Sequence, residues 1–378
     1  MLSFWERQSF LEYDYIIIGS GLVGLSAAAY LKESDANCSV LVLERGLFPA
    51  GASTKNAGFA CFGSLTELLA DLKIMSEDEL LTLVESRWKG LLKLRNRLSD
   101  QAIGLLPYGG YELIDSTLSA SVEQLETINE LIQPIFQSSV FELQNEKIQE
   151  FGFGEKYVEQ LVYNQFEGQI DTGKMMRSLL AYVQTLGVTI LNNCEVANFE
   201  ELDDHVLVSI SGYPVQFRGQ KLGICTNAFS RSLMPELNLE PGRGQVLVTQ
   251  PIEGLKFKGV FHMDEGYYYF RNFKNRVIFG GGRNLDFVGE STTEFGTTSP
   301  ILKSLAKKLK NIILPEQEFA IDHTWSGIMA FGTTKKPIVK SYSARIELGV
   351  RLGGMGVALG SNVGELVAER MMGKHTLT

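Results

Sequence analysis

Basic charge is in short supply in this chain. It carries 35 Lys and Arg against 44 Asp and Glu, a formal net charge of −9. Nucleic-acid phosphates are bound by clustered Lys and Arg, so this balance argues against a nucleic-acid surface. It leaves room for a local basic pocket that takes an anionic substrate. Cysteine is scarcer. Cys38, Cys61, Cys194 and Cys225 lie far apart, with no C-x-x-C and no Cys/His cluster of metal spacing, so no metal is expected. Few, scattered thiols fit a reducing compartment, and a cytoplasmic location is expected. No run of 18 apolar residues exists, so no membrane span is expected. The leader MLSFWERQSFLEYD has no basic start followed by an apolar run and does not read as a signal peptide. Histidine is limited to His205, His262, His323 and His375, which leaves few acid–base candidates. His205 and His375 read as surface positions. There is no internal repeat and no low-complexity tract.

What is present begins at Tyr13, with YDYIIIGSGLVGLSAAAYL. Tyr15 to Ile18 is an apolar, β-branched run, as a strand buried on both faces requires. Gly19, Gly21 and Gly24 follow in G-x-G-x-x-G spacing. The first serves a tight turn, the second a close approach to a pyrophosphate, the third close helix–strand packing. Leu22 and Val23 sit at the turn, and Leu25 to Lys32 reads as a helix whose N-terminus faces phosphates. SVLVL, Ser39 to Leu43, is the next buried strand. Glu44 stands at its end, about twenty residues past Gly24, where an acid receives the ribose hydroxyls of a dinucleotide. Glu44 repels a 2′-phosphate, for which Arg45 compensates only weakly.

Three later segments narrow the choice of dinucleotide. Pro49 to Ser64, PAGASTKNAGFACFGS, is rich in small residues and reads as a loop running against something flat or charged. Asp171 is a natural N-cap for a helix over Thr172 to Leu186, ended by Gly187 and followed by a strand over Val188 to Leu191. This second nucleotide-domain unit lies far from the first, so the domain is discontinuous. In Arg351 to Gly373, RLGGMGVALGSNVGELVAERMMG, a glycine turn precedes a helix expected to start near Ser361. Its N-terminus suits the negative charge of a reduced flavin.

These segments, with CTNAFS, RGQVLVT, YYYFRNFKNRVIFGGGR, WSGIMAFGTTKKP and GGMGVALGS, resemble the D-amino acid oxidase family of FAD-dependent oxidoreductases, in its glycine oxidase and sarcosine oxidase-like branch. The resemblance spans essentially the whole chain. It implies an α/β fold, with a discontinuous Rossmann-like FAD-binding domain and an α+β substrate domain on an antiparallel sheet. The expected segments are 1–75, 151–235 and 323–378 for FAD, and 76–150 and 236–322 for substrate. By resemblance, Gly19, Gly21 and Gly24 approach the FAD pyrophosphate and Glu44 the ribose. Ser53, Thr54, Asn56, Ala57 and Gly58 match the loop under the flavin. Val196 matches the adenine contact, and Thr226, Asn227 and Ala228 the segment near the pyrophosphate. Gly354, Met355, Gly356, Val357 and Ala358 match the turn at the flavin ring. Some sarcosine oxidase-like members attach flavin through a cysteine in the segment matching Trp325 to Pro337. This chain has none there, so its FAD is expected to be non-covalent.

The substrate region reads as strands in RGQVLVTQ, GVFHMD, YYYFR and RVIFGGG. Tyr267 and Tyr269 share one face, Tyr268 and Phe270 the other. By family position Tyr267 faces substrate. The chain departs from the family where many members place an arginine for the substrate carboxylate: here the segment is Gly327, Ile328, Met329, Ala330. A second arginine of some members is matched by Met355. A carboxylate then needs Arg271, Arg283 or Lys336 as its cation. His262 and His323 could face the cavity, though a structural role suits both. Leu80 to Leu98 and Ser119 to Phe136 read as helices covering the site. The expected activity is oxidation of a C–N bond in a small amine or amino acid by hydride transfer to flavin N5, with oxygen or an electron carrier as oxidant. The alternatives are an FAD-dependent 2-hydroxy acid dehydrogenase, and a flavin-binding protein with a nucleic-acid modifying or non-catalytic role.

Overall fold

The structure is a computed structural model that describes residues 1–374; His375 lies outside the described residues. The run around Ile16 and Ile17 is fully buried, so its backbone must pair on both sides. It does so as strand Glu12–Ile18, parallel to Val40–Leu43 on one side and Gln216–Ile224 on the other. Thr189–Leu191 extends this sheet beyond Val40–Leu43, and Ile346–Val350 extends it beyond Gln216–Ile224, both in parallel. Ile338–Ser341 closes one edge antiparallel. Val196–Glu201 and Val206–Ile210 form an antiparallel extension on Gln216–Ile224.

Three helices bury one continuous core on this sheet: Leu22–Ser34, Thr172–Thr185 and Gly356–Met371. The first is lined with Ala27, Ala28 and Ala29, all fully buried, which lets its neighbours come close. Asp171 caps the second by accepting from Lys174 N at 2.9 Å, as its sequence position requires. The third begins at Gly356, not near Ser361. Gly353 and Gly354 reverse the chain at positive φ (55° and 84°), and the helix follows at once. Ser361 is wholly buried inside it, with its Oγ 3.4 Å from Ser26 Oγ on the neighbouring helix instead of at a cap.

The second sheet runs Ile321–Phe331, Glu240–Thr249, Arg276–Gly281, Tyr268–Phe273, Val260–Met263, Gly110–Ile114, Gln160–Asn164, Phe141–Leu143. Its pairings are antiparallel except that of Val260–Met263 with Gly110–Ile114. Strand alternation sends Phe261, Tyr268, Phe270 and Phe279 into an aromatic core, where Phe261 and Phe270 stack at 4.5 Å. Helix Ser299–Lys308 seals that core with Ile301 and Leu305. The alternate residues, His262 and Tyr269 among them, face the other way and line the cavity described below.

Gln160–Asn164 and Ile321–Phe331 both belong to the antiparallel sheet. One expectation changes here. The helices read as covering the site do not line the cavity. Helix Glu77–Leu98 packs instead on the last helix, where a Cβ on Gly90 would stand 1.9 Å from Ala358 O. Ser119–Phe136 divides into a 3-10 turn (Ser119–Gln124) and an α-helix (Leu125–Phe136), whose apolar stripe packs on Phe62 and Val84. Amphipathic spacing shows that a helix has an apolar face but not which partner it meets.

Gly90→Ala forces this helix pair apart and is expected to cost about 2 kcal/mol. Thermal melting of the protein checks it; an unchanged melting temperature would show that the contact yields freely.

Candidate active site

A cavity of about 650 Å³ is lined from both sheets. One end is built by the first glycine turn. Gly19 adopts φ +102°, open to glycine at low cost, and a Cβ there would lie 2.9 Å from Cys225 O. A Cβ on Gly24 would lie 2.0 Å from Gly19 O, so this glycine sets helix–strand packing and does not line the cavity. Leu22 N donates to Ser53 Oγ at 2.9 Å, which ties the helix start to the loop. Glu44 is buried yet well supplied with donors. It accepts from Ser20 N (3.1 Å), Ser20 Oγ (2.8 Å), Gly46 N (2.9 Å) and Ala50 N (3.3 Å). The Arg45 guanidinium lies 3.7 Å from the centre of the Phe229 ring.

Asn56 shapes the small-residue loop. Its Nδ2 donates to Ser53 O at 2.8 Å, and its Oδ1 accepts from Gly58 N at 2.9 Å and Thr172 Oγ1 at 3.0 Å. Trp325 Nε1 donates to Lys55 O at 2.9 Å, pinning the loop to the second sheet. Thr54 turns its hydroxyl to Pro49 O at 2.7 Å, within the loop and away from the cavity. Val196, Thr226 and Asn227 line the cavity, while Ala228 is buried behind them. The N-termini of Leu22–Ser34 and Gly356–Met371 both open onto it, and neither N-cap residue supplies a side-chain cap. Two helix ends with free N–H groups, set along one cavity, suit a ligand with two anionic centres. A dinucleotide that carries a pyrophosphate and an ionisable ring is such a ligand.

The other end belongs to the antiparallel sheet. Tyr267, Tyr269, Arg283 and Met329 line it with Phe59 and Phe331. Tyr269 packs edge-on against Phe59 at 5.7 Å, and burial pushes its phenol up to about 12. The Arg283 guanidinium lies 4.3 Å from the Phe331 ring centre and 5.0 Å from that of Phe287. Its Nε is buried without a hydrogen-bond partner, and burial lowers its pKa. Arg283 and Met329 are neighbours across one strand. A Cβ on Gly242, the strand partner of Met329, would lie 2.8 Å from Arg283 Nε.

His262 lines the cavity with its Nε2 2.9 Å from Glu167 Oε2. Burial pulls its pKa down, but the charge and hydrogen bond of Glu167, with Glu112 and Glu67 beyond, raise it on balance. At the cavity rim Lys335 Nζ stands 2.5 Å from Asp71 and 3.6 Å from Glu67. Burial raises the Asp71 pKa against the pull of Lys335.

A family model described as FAD dependent oxidoreductase, DAO, matches residues 14–370. The chain belongs to the DAO family. Its cofactor is FAD and its chemistry is oxidation–reduction. No curated protein matches the sequence. Among solved structures, L-proline dehydrogenase from P. horikoshii is similar at a TM-score of 0.77 and 18% identity, over 97% of this chain and 95% of that one. Glycine oxidase from Geobacillus kaustophilus is similar at 0.76 and 18%, over 97% and 96%. Iminodiacetate oxidase from Chelativorans sp. BNC1 is similar at 0.76 and 20%, over 96% of each chain. These likenesses are of fold: a nucleotide-binding half and a substrate half, joined as described above.

The cavity of this DAO-family oxidoreductase gathers most of the residues singled out by sequence. Gly21, Leu22, Val23, Glu44, Arg45, Ser53, Asn56, Ala57 and Gly58 meet Gly354, Met355, Gly356, Val357 and Ala358 across it. Three of the candidate polar residues stand elsewhere. Arg271 is buried behind Gly58, with Nη1 donating to Gln169 Oε1 at 3.2 Å, and is absent from the cavity wall. Burial pushes it down to about 10. Lys336 is exposed and bonds Glu79. His323 is exposed and stacks on Trp325. Sequence reading passed over Glu67, Asp71 and Glu167. Glu67 and Asp71 are spaced i, i+4 on the apolar helix Leu65–Leu72, and that pairing is the signal that could have found them.

Glu44→Gln places an N–H group among donors, at an expected cost of about 2 kcal/mol, or about thirtyfold in FAD affinity. Fluorescence titration of the deflavinated protein with FAD checks it. Unchanged affinity would remove Glu44 from the cofactor site.

Proposed function

We propose that this FAD-dependent oxidoreductase oxidises the C–N bond of a small amino acid. The observation that carries the reading is Arg283: a cation on the cavity wall, flanked by Phe287 and Phe331, with its Nε left without a partner. A half-buried guanidinium whose Nε lacks a partner is costly, and a substrate carboxylate relieves that cost. Arg283 thus takes over the duty that the sequence denies to Met329. Tyr267 and Tyr269 bound the substrate beside it. Met329 supplies an apolar wall.

The FAD is held non-covalently at the glycine turn, the loop around Asn56 and the turn before the last helix. What supports this is the absence of any cysteine from the segment Trp325 to Pro337. Bound FAD supplies a two-electron acceptor for the substrate hydride, and oxygen or an electron carrier takes the electrons on. Free thiols also support a cytoplasmic location. No helix of the described residues is long and apolar enough to cross a membrane.

One observation favours a second reading. His262, held by Glu167 at the cavity wall, is the kind of base that a 2-hydroxy acid requires. Anaerobic bleaching of the flavin absorbance separates the two readings, using D- and L-amino acids, N-methyl amino acids, polyamines and 2-hydroxy acids. Bleaching by an amino acid class is expected. Bleaching only by hydroxy acids would replace the reading with its alternative. Arg283→Met should raise the amino acid concentration for half-maximal reduction by about ten- to a hundredfold. Arg283→Lys should recover part of it.

A further inference from the structure

Glu167, Asn164 and Glu112 surround a void of about 10 Å³ behind His262, shared with Ser64, Gly110 and Tyr111. Two polar atoms of its lining residues are buried without partners: Glu167 Oε1, an acceptor, and Asn164 Nδ2, a donor. An acceptor and a donor on one small void match a single internal water, which needs two or more polar partners. Glu112, also buried, accepts from Ser64 Oγ at 2.8 Å and Thr66 N at 3.0 Å. On the opposite side, His262 opens to the main cavity beside Phe59, ring centres 5.3 Å apart. Glu167 occupies its Nε2, which leaves Nδ1 as the ring nitrogen that Glu167 does not engage.

A small amino acid arrives at neutral pH as an ammonium, whose nitrogen has no free electron pair. Its α C–H cannot leave as hydride until one N–H proton is lost. Resting on the C–N reading above, we propose that His262 is the base that takes this proton, with Glu167 as the residue that positions it. The proton passes from the substrate nitrogen to His262 Nδ1. The freed pair forms C=N as the α-hydride carries two electrons to the bound FAD. Glu167 fixes the tautomer: its carboxylate takes the Nε2 proton as a hydrogen bond, so Nδ1 carries the lone pair. A water in the void would bridge the other Glu167 oxygen to Asn164 Nδ2.

The groups facing His262 are Glu167, Glu112 from the neighbouring strand, Glu67 from helix Leu65–Leu72, Cys61 and Tyr269. Cys61 Sγ, a Glu167 oxygen and His262 lie within 4.8 Å of one another. The facing atoms of His262 and Glu167 are joined at 2.9 Å, and burial with Glu167 and Glu67 close by raises the Cys61 pKa.

The test is the rate of anaerobic flavin reduction in the holoenzyme against pH, with glycine, D-alanine, sarcosine and L-proline as probes. His262→Asn should slow reduction at neutral pH by about a hundredfold. The loss should disappear at pH values above the pKa of the probe's own amine, where it binds already deprotonated. Glu167→Gln should move the ascending limb of the profile to lower pH, because the carboxylate that raises the imidazole pKa is gone. A His262→Asn defect equal at every pH, or none, would overturn the assignment while leaving the C–N reading intact. One equivalent of metal in the wild type that is lost in His262→Asn would also overturn it. Wild-type flavin that no probe reduces would overturn both readings.

Discussion

The structure hangs on backbone approaches that admit no side chain. Gly24 brings the first helix against the turn that precedes it, Gly364 sets the last helix against Val23, and Gly90 sets helix Glu77–Leu98 against Ala358. These contacts stack three helices at a separation that larger residues would not allow. The stacking aims the ends of two of them into one cavity. Remove the close approach and the helices still form, but their free N–H groups no longer converge. The anion-binding character of the site is thus a packing property before it is an electrostatic one.

The substrate half rests on a different device, the two-residue period of strands. Tyr268 and Phe270 commit one face of a strand to an aromatic core, which frees Tyr269 for the cavity. The same alternation buries Phe261 and presents His262. Arg283 lies just beyond the end of its strand, at a turn, and reaches the space beside Met329 from there. A cation for substrate can therefore enter the site from either of two strands without altering the sheet. That is how a fold can keep its chemistry while moving a residue the chemistry needs.

Much of this was legible in the sequence. The glycine spacing, Glu44 at the strand end and Asp171 at its cap depend on neighbours a few residues away, and each stands where its spacing implies. So does the facing of Tyr267 and Tyr269, since strand period is local. What could not be read depends on partners far along the chain. Ser361 has the chemistry of a cap but meets Ser26 on another helix. Arg271 and Arg283 sit close together in sequence, and only the approach of Gly58 decides that Arg271 is closed off. The acids at 67 and 71 are marked only by their i, i+4 spacing on an apolar helix, and Glu167 carries no local mark of its place behind His262.

The discontinuity of the parallel sheet has a consequence for biogenesis. Its central strand Glu12–Ile18 is synthesised long before Ile346–Val350 and the helix that follows it. Until that segment leaves the ribosome, Leu222–Ile224 are unpaired on one flank and the cradle lacks its second helix end. A nascent chain therefore cannot use the cofactor as a folding template. It must hold an open sheet edge in check until that segment is made. FAD that binds the completed cradle stabilises the folded chain by mass action.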